Sequence, residues 1–186
     1  MVSLLFYCVP VLIYALAVWL RERIGPREIA SRLGLVPGPA RYYGWALGVL
    51  LLTMTWRLLA TRWFPALGAF QEFAGQPLTF SNVLRALEFG LLATGLGEEL
   101  LFRGLIGGWL GRRLRFWVAN GIQAFLFTLP HLLLVAEAPH LWPLVFLTPF
   151  LFGLAIGWLR LKSGSILPGW IVHGGGNVFV AIMAMA

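Results

Sequence analysis

The chain has 186 residues, of which 60% are hydrophobic and 11% are charged, and its mean hydropathy is +0.84. A soluble domain is about half apolar and about a quarter charged, so this composition excludes a soluble enzyme, a disordered tail and a fibrous repeat. The net charge of +7 comes mostly from arginines in short runs between apolar stretches. Such runs are typical of segments that set the orientation of a membrane protein or contact anionic lipid headgroups. We therefore expect no nucleic-acid partner. The single cysteine, Cys8, excludes a disulfide framework and a cysteine metal cluster.

Apolar stretches long enough to cross a bilayer core, which takes about 20 helical residues, predict about six spans. In chain order they are Val2–Leu20, Tyr42 to about Ala60, about Asn82 to Leu110, Phe116–Leu134, about Leu141–Leu161, and Ile166 to the C-terminus. The prolines and glycines of Trp63–Ser81 instead indicate an interfacial or re-entrant segment. The sequence therefore predicts an all-α, multi-pass transmembrane helical bundle. N-terminal spans and the interfacial segment occupy residues 1–81, and a helical core occupies residues 82–186.

The basic residues alternate between the loops of this predicted bundle. Loops one, three and five are rich in them, loop two has two near its start, and loop four has none. Those of the odd loops are Arg21, Arg23, Arg27, Arg32, Arg41, Arg112, Arg113, Arg115, Arg160 and Lys162. Because cytoplasmic loops carry the excess of Lys and Arg, we expect a cell-membrane protein with its odd loops in the cytoplasm and both termini outside.

Ionisable side chains inside apolar helices are functional candidates because they are costly to place there. The third predicted helix carries Glu98, Glu99 and Arg103. Glu99 and Arg103 are one helical turn apart and can pair, whereas Glu98 points about 100° away from Glu99. The spacing thus predicts one carboxylate neutralised by arginine and one, that of Glu98, available as a general base. The alternative is a structural charge cluster that holds helices together.

Further polar residues lie in two later predicted spans. His131 follows Pro130 in the fourth, where it can relay protons, bind a metal or hydrogen-bond a neighbouring helix. His173 and Asn177 lie one turn apart in the last, separated by three glycines that would let a backbone or a substrate approach closely. Each also fits a packing role when taken separately. Counted along straight helices, His131 falls nearer the outer face and His173 nearer the inner face, so a shared site needs bent or offset helices.

Glu-Glu-x-x-x-Arg, Phe-x-x-x-His and His-x-x-x-Asn, in this order on successive apolar helices, form a specific pattern. It resembles the CPBP (Abi) family of intramembrane proteases, which includes CAAX prenyl endopeptidases and bacteriocin-processing proteins. The matching residues, none of them substituted, are Glu98, Glu99, Arg103, Phe127, His131, His173 and Asn177. The resemblance implies that Glu98 and His131 activate a water for attack on a peptide carbonyl. By the same resemblance His173 and Asn177 stabilise the oxyanion, while Glu99, Arg103 and Phe127 support the site.

The resemblance is compatible with a mechanism that needs no cofactor. Glu and His are also plausible Zn²⁺ ligands, so a zinc site is the alternative, although the chain has no His-Glu-x-x-His motif. The expected partners are the lipid bilayer and a membrane-associated peptide or protein substrate. Prenylated CAAX tails, bacteriocin leaders and sorting signals all fit, and the oligomeric state is left open. Two other functions fit the residues: a catalytically idle scaffold or immunity-type binding protein, and a transporter with Glu98 in a proton relay.

Overall fold

Helices make up all the regular structure of the described residues, which are 2–64, 72–136 and 139–185 of a computed structural model. The elements in chain order are α1 (Val2–Glu22), α2 (Pro26–Leu33), α3 (Arg41–Trp63), α4 (Phe80–Leu87), the π-helical segments π1 (Glu88–Leu96) and π2 (Glu99–Gly107), α5 (Gly108–Gly111), α6 (Phe116–Thr128), the 3-10 segments Leu129–Ala136 and Pro139–Leu141, α7 (Trp142–Ser163) and α8 (Leu167–Met185). The predicted all-α bundle is confirmed.

Five of the described helical stretches are long and apolar enough to cross a bilayer. They are Leu4–Glu22, Arg41–Trp63, Phe116–Ala136, Pro139–Ser163 and Leu167–Met185. Each of the five overlaps a predicted span. The remaining predicted span, Asn82–Leu110, lies within a continuous helical stretch at residues 80–111. This stretch is not among the five, and it carries five charged side chains: Arg85, Glu88, Glu98, Glu99 and Arg103.

The 80–111 stretch departs from α-helical geometry over much of its length, since π1 and π2 cover most of it. In a π-helix the hydrogen bonds join residues five apart, and such segments occur frequently at functional sites. The Thr94 hydroxyl follows the same spacing, because it donates to the carbonyl oxygen of Phe89 at 2.9 Å. The wider turns change the directions in which side chains project, so α-helical spacing rules hold only approximately here.

Glycines bring the backbones of π1 and α8 into direct contact. A Cβ atom at Gly90 would lie 2.7 Å from the backbone nitrogen of Val178, and one at Gly95 would lie 2.9 Å from the Cα of Gly174. Real Cβ atoms essentially never approach so closely. Of the three glycines after His173, Gly174 therefore admits a neighbouring backbone as expected, whereas Gly175 and Gly176 face the side chains of Leu50 and Thr53. The close packing at Gly174 sets α8 against the charged helix.

The fourth predicted span, Phe116–Leu134, is one α-helix only as far as Thr128. It continues as a 3-10 helix over Leu129–Ala136. The change coincides with Pro130, which lacks the N–H needed for the α-helical bond to the preceding turn. The α-helix therefore gives way to a 3-10 helix at this proline, and His131 lies immediately beyond it.

Loop one contains a short helix, α2, which the sequence analysis did not predict. It begins at Pro26 and ends at Leu33, and the next residue, Gly34, has a φ of 73°, the left-handed conformation common after a helix. Arg160 of α7 holds α2 against the 80–111 stretch. Its Nη2 donates to the Arg32 carbonyl oxygen at 2.9 Å, and its Nε donates to the Arg103 carbonyl oxygen at 3.2 Å.

The predicted interfacial segment, Trp63–Ser81, lies partly outside the described residues, because 65–71 are not described. Of the remainder, residues 72–75 form a turn. Phe73 in this turn is buried against Ala86, Ala181 and Met185. The described part of the segment thus packs against the bundle where α4 and α8 both end.

Candidate active site

Glu99 and Arg103 form an ion pair inside the bundle. Nη1 of Arg103 lies 3.1 Å from Oε1 of Glu99, and both side chains are fully buried. Arg103 also lies over the ring of Phe127, with Cζ 4.0 Å from the ring centroid, in a cation–π contact. The pairing predicted from their spacing is therefore present. The ring of Phe127 supplies a further favourable contact for the buried guanidinium.

His173 lies between the two adjacent carboxylates of the 80–111 stretch. Its Nδ1 is 2.9 Å from Oε1 of Glu99, and its Nε2 is 3.8 Å from Oε2 of Glu98. An ionised carboxylate only accepts hydrogen bonds, so Nδ1 carries a hydrogen and donates it to Glu99. The rings of Phe127 and Phe152 pack edge-on to the imidazole, with centroids 5.7 and 5.4 Å away. These contacts fix the imidazole with Nε2 nearest to Glu98.

Glu98 and His131 line one cavity of about 300 Å³. The full set of lining residues is Tyr7, Glu98, Phe102, Phe127, Pro130, His131, Leu133 and Leu134. Nδ1 of His131 is 3.0 Å from the carbonyl oxygen of Phe127. Because a carbonyl oxygen only accepts, this nitrogen carries the hydrogen, and Nε2 is left as an acceptor. Leu133 is 78% exposed, so the cavity reaches the outer surface of the bundle.

Asn177 lies one turn beyond His173 on α8 and makes a different contact. Its Nδ2 donates to the Thr94 hydroxyl oxygen at 2.9 Å. Neither Asn177 nor His173 is among the residues that line the cavity. The structure therefore gathers Glu98 and His131 at one cavity and sets His173 against Glu98. It places Asn177 against π1.

Two residues of this arrangement were missed by sequence reasoning. The hydroxyl of Tyr7, in α1, donates to Oε1 of Glu98 at 3.3 Å. Thr94 accepts from Asn177. The one sequence feature that could have indicated Tyr7 and Thr94 is a hydroxyl group within an apolar helix. That signal is weak, because such hydroxyls also bond to their own helix, as Thr53 does to the Val49 carbonyl oxygen.

The same geometry tests whether the site fits a zinc ion. A catalytic zinc site takes three protein ligands and one open position. Among residues 2–64, 72–136 and 139–185, no three His, Cys, Asp or Glu side chains are placed to hold a metal. Glu99 is already engaged by Arg103 and His173. The described residues do not fit a three-ligand zinc site, and independence from metal stays a prediction.

The fold and the site together define a multi-pass membrane protein with an acid–base cluster inside its helical bundle. A family model described as type II CAAX prenyl endopeptidase Rce1-like matches residues 77–179, more than half of the chain. The chain belongs to this family, which makes it a CAAX-type membrane protease and confirms the family predicted from the motifs. Comparisons with curated proteins and with solved structures gave no significant match. The division of the chain at residues 81 and 82 stays a prediction.

Proposed function

We propose that this protein is an intramembrane endopeptidase that hydrolyses a peptide bond with a water activated by Glu98 and His131. The observation that carries the proposal is their shared cavity of about 300 Å³, inside a helical bundle of a protease family. The neighbouring Glu99 is paired with Arg103. Glu98 is therefore the carboxylate of the pair that is available to a substrate.

In the first step, a water in the cavity donates a hydrogen bond to Nε2 of His131 through the hydrogen that it keeps, and transfers its other hydrogen as a proton to the Glu98 carboxylate. The water oxygen forms a bond to the peptide carbonyl carbon, and the carbonyl oxygen becomes an oxyanion. In the second step, the carbon–nitrogen bond breaks, and protonated Glu98 returns its proton to the leaving amine. A positioned carboxylate that first accepts and then donates a proton typically contributes about 10²–10⁴ in rate.

His173 and Asn177 are the proposed donors to the oxyanion. With a hydrogen on Nε2 as well as on Nδ1, His173 presents an N–H on the side of Glu98. The Asn177 amide has two N–H groups, one of which donates to Thr94. The second would donate to the oxyanion, which requires the substrate carbonyl to extend beyond the cavity towards α8, because Asn177 does not line the cavity. Removal of one such donor costs about 10²–10³ in rate in enzymes where it has been tested.

Glu99, Arg103 and Phe127 support these groups and do not react. Glu99 orients His173 through its Nδ1, and Arg103 balances the charge of Glu99 in the buried interior. Phe127 contacts Arg103 through its ring and His131 through its carbonyl oxygen. A change at any of the three would therefore act through the position of a catalytic group.

We propose a membrane-associated peptide as the substrate, with a prenylated CAAX tail as the first class to test. Apart from Tyr7, Glu98 and His131, the walls of the cavity are apolar side chains, and the exposed Leu133 opens it at the outer surface of the bundle. A lipid-linked or apolar peptide segment suits such walls. Bacteriocin leaders and sorting signals are the competing classes.

Quantitative profiling of peptide termini in host membranes tests the proposal. The wild-type protein is compared with Glu98→Gln expressed at the same level. New termini that appear only with the wild type would establish proteolysis and show the cleaved sequence. Identical profiles, with the variant folded and abundant, would exclude a Glu98-dependent protease and favour the scaffold.

We also propose that both termini lie outside the cell membrane. Arg32, Arg112 and Arg160, from loops one, three and five, meet at one end of the bundle. Arg112 Nη1 and Arg160 Nη2 both donate to the carbonyl oxygen of Arg32, at 3.2 and 2.9 Å. The gathering of these cations at one end supports a single cytoplasmic face for the odd loops.

A further inference from the structure

The first helix contributes one polar side chain to the cavity. Tyr7 lines the cavity, and its hydroxyl donates to Oε1 of Glu98 at 3.3 Å across 91 positions of sequence. This residue lies outside the region that matches the family, residues 77–179. The contact is therefore a property of this chain that the motifs do not contain.

The approach of α1 to Glu98 depends on the glycine that precedes it. A Cβ atom at Gly97 would lie 3.0 Å from Cδ2 of Tyr7 and 3.3 Å from Cδ1 of Leu4. Both distances are tighter than nearly all real Cβ contacts. The bare backbone at residue 97 thus lets the ring of Tyr7 lie against the helix, which is the position from which its hydroxyl reaches the next residue.

Glu98 has few other groups to hold it. Arg103, the nearest cation in the sequence pattern, contacts Glu99 instead. His173 approaches the other oxygen of Glu98, Oε2, only to 3.8 Å. Among the described residues, Tyr7 is the one side chain within hydrogen-bond distance of Glu98.

We infer that Tyr7 is a positioning residue for the Glu98 carboxylate, an inference that rests on the proposed function. A glutamate side chain has three rotatable bonds, and in a cavity of about 300 Å³ it can adopt several rotamers. The phenol fixes Oε1, so Oε2 stays on the side of His173. A general base acts only within hydrogen-bond reach of the proton that it abstracts. Tyr7 therefore raises the fraction of enzyme in which Glu98 can accept the proton of the attacking water.

The test is steady-state cleavage of an internally quenched, farnesylated peptide that ends in a CAAX sequence, with purified protein in proteoliposomes. Tyr7→Phe keeps the ring and its packing against Phe102 and removes only the hydroxyl. We expect kcat to fall about tenfold with little change in KM, because a hydrogen bond to a charged group is lost. Tyr14→Phe is the matched control, since the Tyr14 hydroxyl accepts from Arg112 outside the site, and we expect it to keep wild-type kcat.

Gly97→Ala provides a second, independent variant. The added methyl pushes the ring of Tyr7 outward, so we expect a loss of kcat similar to that of Tyr7→Phe. In the double variant the two losses should not add, because both act on one hydrogen bond. Full additivity would contradict the coupling.

The Glu98→Gln variant distinguishes a failure of this inference from a failure of the proposed function. Retention of activity by Glu98→Gln would overturn the proposed function itself. Loss of activity in Glu98→Gln together with wild-type kcat in Tyr7→Phe would overturn only the role of Tyr7. An effect of Tyr7→Phe confined to KM would also overturn it and would make Tyr7 a substrate contact.

Discussion

Glu99 and His173 lie 74 positions apart in the chain and 2.9 Å apart in the structure, between Oε1 and Nδ1. The same oxygen of Glu99 also contacts Nη1 of Arg103 at 3.1 Å. One carboxylate therefore links the 80–111 stretch to α8 and accepts a hydrogen bond from Nδ1 of the imidazole. The adjacent Glu98 is left to the cavity. Two neighbouring glutamates thus occupy different environments, one fully buried and paired, the other lining the cavity.

The first prediction compares how much each of these two glutamates contributes to the free energy of unfolding. Glu99→Gln leaves Arg103 as an unpaired cation in the interior, so we expect a loss of about 3–5 kcal/mol in the free energy of unfolding. Glu98→Gln should cause no comparable loss, because Gln can still accept from Tyr7. Unfolding of both variants in mixed micelles measures the difference. Equal stability of Glu99→Gln and wild type would show that the ion pair does not hold the bundle.

The second prediction concerns His131. His131→Ala should lower kcat by about 10²–10⁴, as expected when a positioned acid–base group is lost. The free energy of unfolding of this variant should change little, because His131 is only partly buried and, among the described residues, hydrogen-bonds only to the carbonyl oxygen of Phe127, four residues earlier. His140→Ala is the matched control, since His140 is exposed near the start of α7, and it should keep full activity. A similar loss in both variants would point to a general effect of the 129–141 region.

A third prediction tests the contact between π1 and α8. Gly90→Ala places a methyl 2.7 Å from the backbone nitrogen of Val178, so the two backbones must separate. We expect a loss of about 1–3 kcal/mol in the free energy of unfolding, as for overpacked cores. Gly44→Ala, on α3, meets nothing within 4 Å. It should be neutral or slightly stabilising because Ala favours helix more than Gly does.

The fourth prediction concerns metal. Because the described residues do not form a three-ligand zinc site, we expect cleavage to persist after dialysis against EDTA and 1,10-phenanthroline. Metal analysis of the dialysed protein verifies removal. Activity that disappears with the metal and returns when Zn²⁺ is added would show that the site binds zinc and would replace the proposed mechanism.

The fifth prediction concerns orientation. In a Cys8→Ser background, Arg113→Cys marks loop three and His140→Cys marks loop four, and both positions are exposed. A membrane-impermeant maleimide added to intact cells should label position 140 and leave position 113 unlabelled. Permeabilised cells provide the control for accessibility. Labelling at 113 in intact cells would reverse the proposed topology.

The sequence by itself determined the helical membrane fold, the family and the Glu99–Arg103 pair. These features are local. An apolar stretch of about 20 residues must satisfy its backbone hydrogen bonds within a helix to cross a bilayer. Residues four apart on a helix are neighbours whatever the rest of the chain does. The change from α-helix to 3-10 helix beside Pro130 is also local, because it follows from a missing N–H.

Only the tertiary structure decided which side chains share the site. Tyr7 with Glu98, His173 with Glu99, and Asn177 with Thr94 are each joined across more than 70 positions. Such contacts depend on how far each helix is shifted along its neighbour and on whether its turns are α-helical, π-helical or 3-10. No local sequence pattern specifies either property. The π-helical turns, the glycine contacts with α8 and the 3-10 segment after Thr128 supply those offsets. Straight helices would place His131 and His173 at different depths, whereas in the structure His131 lines one cavity with Glu98 and His173 Nε2 lies 3.8 Å from the same glutamate.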